Sequence, residues 1–121
     1  MAVSGRGEVR DTQECVSWSP SWILGRLIEA NEDGSLGAAG FSAVSRVMAI
    51  MCRLGAPRIK LSATERLAGL NRTRLREVIE RPEVSRYLSV ERVGGLFWIK
   101  PVIRDGETPY WAAANGDGAA L

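Results

Sequence analysis

The sequence predicts an α+β fold that is mainly helical and carries one small β-hairpin. Apolar residues recur at helical spacing in several segments between residues 20 and 81. Two strand-like runs flank the pair Gly94-Gly95, which is typical of a tight hairpin turn. The chain has 121 residues and is 45% hydrophobic, which is enough for one domain with a core of its own.

The first predicted helix covers residues 21–31. Residues 1–19 are polar and lack a period, so they are expected to form a flexible N-terminal tail. Ser19 or Ser21 is expected to cap the helix, whose predicted role is to shape a dimer or to brace the core. One helical face carries Trp22, Ile23, Leu27 and Ala30, and another carries Arg26 and Glu29.

A loop is expected at residues 37–40 and a second helix from residue 41 or 42 to residue 54. This helix is apolar around most of its circumference, which predicts the centre of the core or of a dimer, with Cys52 as a buried thiol. Gly55 is expected to end it. Its two arginines and its length of about 14 residues argue against a membrane span. Because the N-terminal residues are polar, no signal peptide is expected. The prediction is a soluble, cytoplasmic protein.

The following segment predicts a short strand at residues 58–61 and then two short helices. Ser62 and Glu65 have the spacing of a capping box, which places a helix start at Ser62. Gly69 suits the left-handed position that ends this helix. Another helix is expected over residues 72–81, because Pro82 stops it.

The hairpin is predicted to pair residues 87–93 with residues 96–100. Phe97 and Trp98 are adjacent, so they are expected to lie on opposite faces of their strand, with one of them in the core. Residues 104–121 are rich in Gly, Ala, Asp and Asn and are expected to form a flexible C-terminal tail, although Tyr110 and Trp111 are candidates to pack back onto the domain.

Positive charge is concentrated in the middle of the chain. The formal net charge is only +2, yet residues 41–81 contain nine basic and three acidic residues. Fourteen of the sixteen basic residues are arginines, whose planar guanidinium matches phosphate groups and guanine edges. A local basic field of this kind favours an anionic partner such as DNA.

The order of predicted elements resembles the winged helix-turn-helix domain, with an extra N-terminal helix. The resemblance covers roughly residues 41–101, about half of the chain, with the helix-turn-helix at about residues 62–81 and the wing at residues 87–100, within a domain spanning residues 20–103. Gly69 matches the turn glycine of that family, and Leu70 matches its apolar turn residue. The apolar triplet of the recognition helix is supplied by Leu75, Val78 and Ile79. The resemblance implies binding to double-stranded DNA.

The predicted DNA-binding residues lie on the helix after the turn and around it. With the apolar triplet facing the core, Thr73 and Glu77 point most directly outward. Base or phosphate contacts are expected from Asn71, Arg72, Thr73, Arg74 and Arg76, and phosphate contacts are expected from Lys60 and Arg66. Glu77 is expected to accept a hydrogen bond from cytosine N4, and Arg92 to make a wing contact. The alternative is a solvated helix face with ion pairs Arg76–Glu80 and Glu77–Arg81.

Catalysis is not expected. The chain has no histidine, no carboxylate pair, no phosphate-binding loop and no metal-ligand spacing among its two cysteines, which predicts a protein without cofactor or metal. The favoured function is a homodimeric DNA-binding transcriptional regulator that does not act at a membrane. The alternatives are a phage or plasmid accessory DNA-binding factor for replication, excision or partition, and a winged-helix protein–protein adaptor that does not bind DNA.

Overall fold

The computed structural model describes residues 15–112. Its elements, in chain order, are β1 (Val16–Trp18), α1 (Pro20–Glu32), α2 (Gly37–Leu54), β2 (Ile59–Lys60), α3 (Leu61–Ala68), α4 (Arg72–Ile79), β3 (Leu88–Val93), β4 (Leu96–Pro101) and β5 (Tyr110–Ala112). The described part of the chain is therefore α+β, with four helices, which confirms the predicted fold class at that level.

Two small antiparallel sheets accompany the helices. One has the strand order β2-β4-β3, and the other pairs β1 with β5. The hairpin β3–β4 turns at Gly94 and Gly95, with φ of 60° and 83°. Positive φ at both central residues is the two-residue turn geometry whose twist matches the strands, so the predicted hairpin is confirmed.

Helix α2 is the centre of the core. Val44, Val47, Met48 and Met51 are at most 1% exposed, and the other helices and the sheet strands pack around them. Gly55 ends the helix in a left-handed conformation with φ of 65°, as predicted. The predicted loop at residues 37–40 is wrong, because these residues form the first turn of α2.

Two further expectations about α2 are corrected. Cys52 is exposed rather than buried, since it lies outside the face that packs into the core. The helix is 18 residues long with a mean hydropathy of 1.2, so by length and composition it meets the criterion for a membrane span, which core helices of soluble proteins also meet. Helix α2 is therefore longer than predicted, and its length does not argue against a membrane span.

Helix α1 packs against α2 through the predicted apolar face. Ser19 caps it by accepting a hydrogen bond from the Trp22 backbone N–H at 3.3 Å. Ala30 is 1% exposed, and the aromatic and aliphatic residues before it pack on the core. Arg26 is only 5% exposed, so its assignment to a separate polar face is wrong.

Part of each segment that was predicted to be a flexible tail belongs to the folded domain. Val16 and Trp18 are buried in β1, and the Trp18 indole N–H donates to the carbonyl oxygens of Met51 at 3.1 Å and Ala56 at 3.2 Å. The Tyr110 ring in β5 lies 4.9 Å from the Trp18 ring, whereas Trp111 is 60% exposed. The flexible-tail prediction is thus wrong for residues 16–18 and 110–112. The parts of it that concern residues 1–14 and 113–121 lie outside the described residues.

Helix α3 begins without the predicted capping box. It starts at Leu61, directly after β2, and its N-cap Lys60 makes no side-chain cap hydrogen bond. Leu61 is 6% exposed, and burying it takes precedence over the local preference for a serine cap at Ser62. Gly69 ends the helix with φ of 67°, as predicted. The preceding strand has two residues instead of four.

Candidate nucleic-acid interface

Helix α4 is fixed to the domain by one apolar face. Leu75, Val78 and Ile79 are between 1% and 4% exposed, which confirms the predicted triplet. The Asn71 side-chain oxygen caps the helix by accepting from the Arg74 backbone N–H at 2.9 Å. The helix ends at Ile79, two residues before the predicted end, and the Glu80 backbone N–H closes it on the Arg76 carbonyl at 3.0 Å.

The opposite face of α4 carries the predicted polar side chains. Arg72, Thr73, Arg74 and Glu77 are exposed, as the helical periodicity predicted for an outward face. Arg72 Nε lies 3.6 Å from a carboxylate oxygen of Glu65 on α3. Both side chains are about half exposed, so this ion pair is weak and is easily exchanged for another anion.

The guanidinium groups of Arg76 and Arg92 both lie close to the ring of Phe97, and these three residues are called the Phe97 cluster below. The guanidinium carbon of Arg76 lies 4.2 Å from the ring centroid, and that of Arg92 lies 5.6 Å from it. Arg76 also pairs with Glu80, at 3.3 Å from Nε to Oε2. Since Arg76 belongs to α4, Arg92 to β3 and Phe97 to β4, the cluster joins the helix to the hairpin.

A cleft of about 470 Å³ lies between α4 and β4. Leu61 and Phe97 form its apolar part, while Arg72, Arg76 and two glutamates supply charges of both signs. Such a surface combines aromatic and cationic contacts with acceptor groups on one side of the domain. Its glutamates, Glu77 and Glu80, lower the positive potential that the arginines create.

No protein-family model, curated protein or solved structure matches the chain.

Not all predicted site residues lie on this surface. Lys60 is opposite Trp98 in the β2–β4 register, and its Nζ lies 5.8 Å from the Trp98 ring. Adjacent strand residues point to opposite faces, so Trp98 and Lys60 lie on the sheet face that is turned away from Phe97. Trp98 is buried there, with the Arg58 guanidinium carbon 4.3 Å from its ring.

The remaining predicted residues lie around α4. Arg66 is exposed on α3. Arg74 lines a shallow groove beside Ser42 and Leu70, on the side of α4 that faces α2. The structure thus brings Arg72, Thr73, Arg76, Glu77 and Arg92 together with Phe97, and it leaves Lys60 and Arg74 on neighbouring surfaces.

Phe97 belongs to the site but was not among the residues predicted from the sequence. Alternation along β4 shows that Phe97 and Trp98 face opposite sides, but it does not say which side meets α4. That choice follows from the pairing of β4 with both β2 and β3, which sequence spacing does not reveal.

A second polar cluster holds α1 to the chain after β4. Arg26 bonds to the Glu107 carboxylate and donates to the Val102 carbonyl at 3.4 Å. Arg104 donates to Glu29 Oε1 at 2.8 Å. The hydrogen bond from Arg104 lowers the pKa of Glu29, and the Arg104 backbone N–H lowers the pKa of Glu107.

The same cluster continues to the end of α1. The Tyr87 hydroxyl donates to Asp33 Oδ2 at 2.9 Å, and Arg86 lies 3.4 Å from the same oxygen. Burial, followed by the hydrogen bond to Asp33, raises the pKa of Tyr87 to about 12. Hydrogen bonds from the Ser35 and Tyr87 hydroxyls lower the pKa of Asp33. Every carboxylate of this cluster accepts hydrogen bonds from neighbouring side chains or backbone, so the cluster is a structural network. Among the described residues, no group of three or more Cys, Asp or Glu side chains is placed to hold a metal ion.

Proposed function

We propose that the chain is a winged helix-turn-helix protein that binds double-stranded DNA and regulates transcription. Helices α3 and α4 correspond to the helix-turn-helix, and the β3–β4 hairpin corresponds to the wing. The left-handed Gly69 between two short helices supports this proposal, as does the strand order β2-β4-β3, which sets the hairpin beside α4. The protein acts as a cytoplasmic homodimer, without catalysis or a bound cofactor.

The Phe97 cluster is the observation that carries the proposal. It places a cation of α4 and a cation of the hairpin close to the same aromatic ring, so that helix and wing each contribute an arginine to one surface. Stacking on Phe97 restricts the Arg76 side chain before any ligand arrives, which reduces the entropy lost on binding. On a solvated helix face the same stacking would still stabilise the fold by about 0.5–1 kcal/mol, so the DNA-binding assay below distinguishes DNA binding from a solvated face.

In this proposal the residues of the surface have different tasks. Arg72 and Thr73 begin α4, and the N-terminal residues of a recognition helix are those that reach base edges in the major groove. An arginine there matches guanine O6 and N7, with about 1–3 kcal/mol of discrimination for a bidentate pair. Arg92 on the wing contacts the DNA backbone. Asn71 is an N-cap rather than a base reader, because its side-chain oxygen is already bonded to the Arg74 backbone N–H.

The proposal is tested by fluorescence anisotropy with a labelled random-sequence duplex at low and at moderate salt. The double variant Arg72→Ala/Arg76→Ala is compared with wild type. We expect wild type to bind with steep salt dependence. The variant should bind more weakly, with the slope of log affinity against log salt reduced by about one for each phosphate that it no longer neutralises.

The matched control is Arg53→Ala/Arg86→Ala, which removes the same charge from other surfaces. Arg53 lines the groove beside β1, and Arg86 lies beside Asp33 at the end of α1. If the two double variants lose affinity equally, the α4 surface has no special role. If wild type does not bind DNA even at low salt, the proposal is wrong.

The protein–protein adaptor is the second candidate function. The ion pairs Arg72–Glu65 and Arg76–Glu80 and the exposed Glu77 favour it, because they offset the positive charge of the surface. An adaptor is expected to show no salt-dependent binding to the random duplex. The phage or plasmid accessory factor uses the same chemistry as a regulator, so the assay applies to it unchanged.

A further inference from the structure

The outward face of α1 is apolar. Leu24 is 59% exposed and Ile28 is 49% exposed, and the two are one helical turn apart. They lie opposite the face that packs on α2, and a side chain at Gly25, beside them, would meet open space. An outward helix face normally carries charge, and an exposed apolar pair of this kind marks an interaction surface.

The centre of this face is also free of charge. Ser21 and Asn31 flank the apolar pair toward the two ends of the helix, and both are exposed. Helix α4 provides the contrast, since its outward face carries several charged side chains. A surface that meets its own copy about a two-fold axis must be complementary to itself, and a neutral centre avoids placing like charges together.

The ends of α1 supply the charge complementarity. The first turn contains no acidic residue and the last turn contains no basic residue. Glu32 is exposed at the C-terminal end, where the helix dipole is already negative. In an antiparallel pair of α1 helices, Glu32 of each copy lies beside the N-terminal end of the other helix, where negative charge is favourable.

We propose that a second copy of this chain docks on this face, with the two α1 helices packed antiparallel about a two-fold axis. Leu24 of one copy contacts the partner's Ile28, and the reverse contact is made across the axis. The helix has 13 residues and is about 20 Å long. One helix pair buries less surface than a standard interface of about 1,600 Å², so we expect a weak dimer whose formation depends on concentration. This surface is separate from α4 and does not depend on DNA binding.

The first test measures self-association by analytical ultracentrifugation over a concentration series. Wild type is expected to be a dimer at high concentration. Leu24→Glu/Ile28→Glu should weaken the dimer at least about tenfold, because two charges would be buried in an apolar contact. The control Leu96→Glu alters a residue of similar exposure, 47%, on the hairpin and should leave the dimer intact. A wild type that stays monomeric, or a double variant that still forms the dimer, overturns the proposal.

The variant Glu32→Arg separates the dimer contact from helix stability. Within one chain it places a cation at the negative end of α1, which should raise the melting temperature of the monomer. In the dimer it brings that cation to the positive end of the other helix and should weaken association. Equal or tighter association of Glu32→Arg contradicts the antiparallel arrangement.

Cross-linking tests the direction of the pair directly. The native cysteines are first removed by Cys15→Ser/Cys52→Ser. In this background, Ser21→Cys/Asn31→Cys should form an intermolecular disulfide when it is treated with oxidised glutathione. The two thiols lose two protons and two electrons, and oxidised glutathione takes them up to give two molecules of reduced glutathione. Neither single cysteine should do so, because antiparallel helices bring residue 21 beside residue 31. Cross-linking of the single variants would show a parallel pair and overturn the proposal. The α4 variant Arg72→Ala/Arg76→Ala should still dimerise, which keeps this result independent of the DNA assay.

Discussion

Replacing Arg26 by methionine tests whether residues 102–112 are an integral part of the fold. Arg26 is buried under the chain that follows β4, where it bonds to Glu107 and to the Val102 carbonyl. Its guanidinium carbon also lies 4.7 Å from the ring centroid of Trp22. Methionine keeps the apolar contact with Trp22 and removes only the charge and its hydrogen bonds.

The expected loss of stability follows from the exposure of the partners. Removing one member of a fully buried ion pair costs about 3–5 kcal/mol. Glu107 and Glu29 are 27% and 35% exposed, so water replaces part of what Arg26 provided. We therefore expect the free energy of unfolding to fall by about 2 kcal/mol. For a domain of this size, the melting temperature should fall by about 8–15 °C.

Urea denaturation and hydrogen exchange measure the two parts of this prediction. The free energy of unfolding should fall, and backbone amides of residues 102–112 should exchange faster than in wild type. Arg86→Met is the matched control, because Arg86 is 58% exposed and its ion pairs lie at the surface, where each contributes about 0–1 kcal/mol. If Arg26→Met is no more destabilising than Arg86→Met, the argument from burial is refuted.

Three further predictions concern pH, glycine positions and the candidate interface. The folded-state pKa values of Glu29 and Glu107 lie below the usual 4.5. Their contribution to stability is therefore complete above that pH and is lost as the pH falls through the folded values, which thermal melts between neutral and acidic pH should show. The loss should be less steep in Arg104→Met, because the Arg104 side chain is the largest cause of the lowered pKa of Glu29. Gly55→Ala should destabilise by about 1–2 kcal/mol in urea denaturation, because φ is 65° and a Cβ would lie 3.0 Å from the Val16 carbonyl oxygen. By contrast, Gly25→Ala in α1 should stabilise by about 0.5–1 kcal/mol. Glu77→Gln should tighten binding to the random duplex several-fold by anisotropy, because it removes an exposed negative charge from the surface proposed to bind DNA. Unchanged or weaker binding would contradict the proposed orientation of α4.

The local features of the fold were predictable from the sequence because local chemistry decides them. Ser19 caps α1, Gly55 and Gly69 take left-handed conformations at helix ends, and Gly94-Gly95 turns the hairpin. Each of these depends on the backbone freedom or the hydrogen-bonding capacity of one or two residues. The buried and exposed faces of α4 followed in the same way from helical periodicity.

Interactions between distant parts of the chain decided the features that the sequence analysis missed. Strand β1 exists because it pairs with β5, more than ninety residues away, and neither segment has a strand pattern of its own. The buried Arg26 is tolerated because residues 102–107 supply its partners, and helical position alone places it on a polar face.

Some features of the candidate interface follow from local sequence, and others depend on long-range interactions. The sequence by itself determined the α+β class, the spacing of the two short helices around Gly69 and the outward side chains of α4, because each depends on residues that are close in the chain. Only the tertiary structure decided that Phe97 faces α4, that Arg92 and Arg76 both lie close to its ring and that Lys60 lies on the other sheet face. The physical reason is that strand register and helix docking depend on burial summed over the whole domain, which no short stretch of sequence contains.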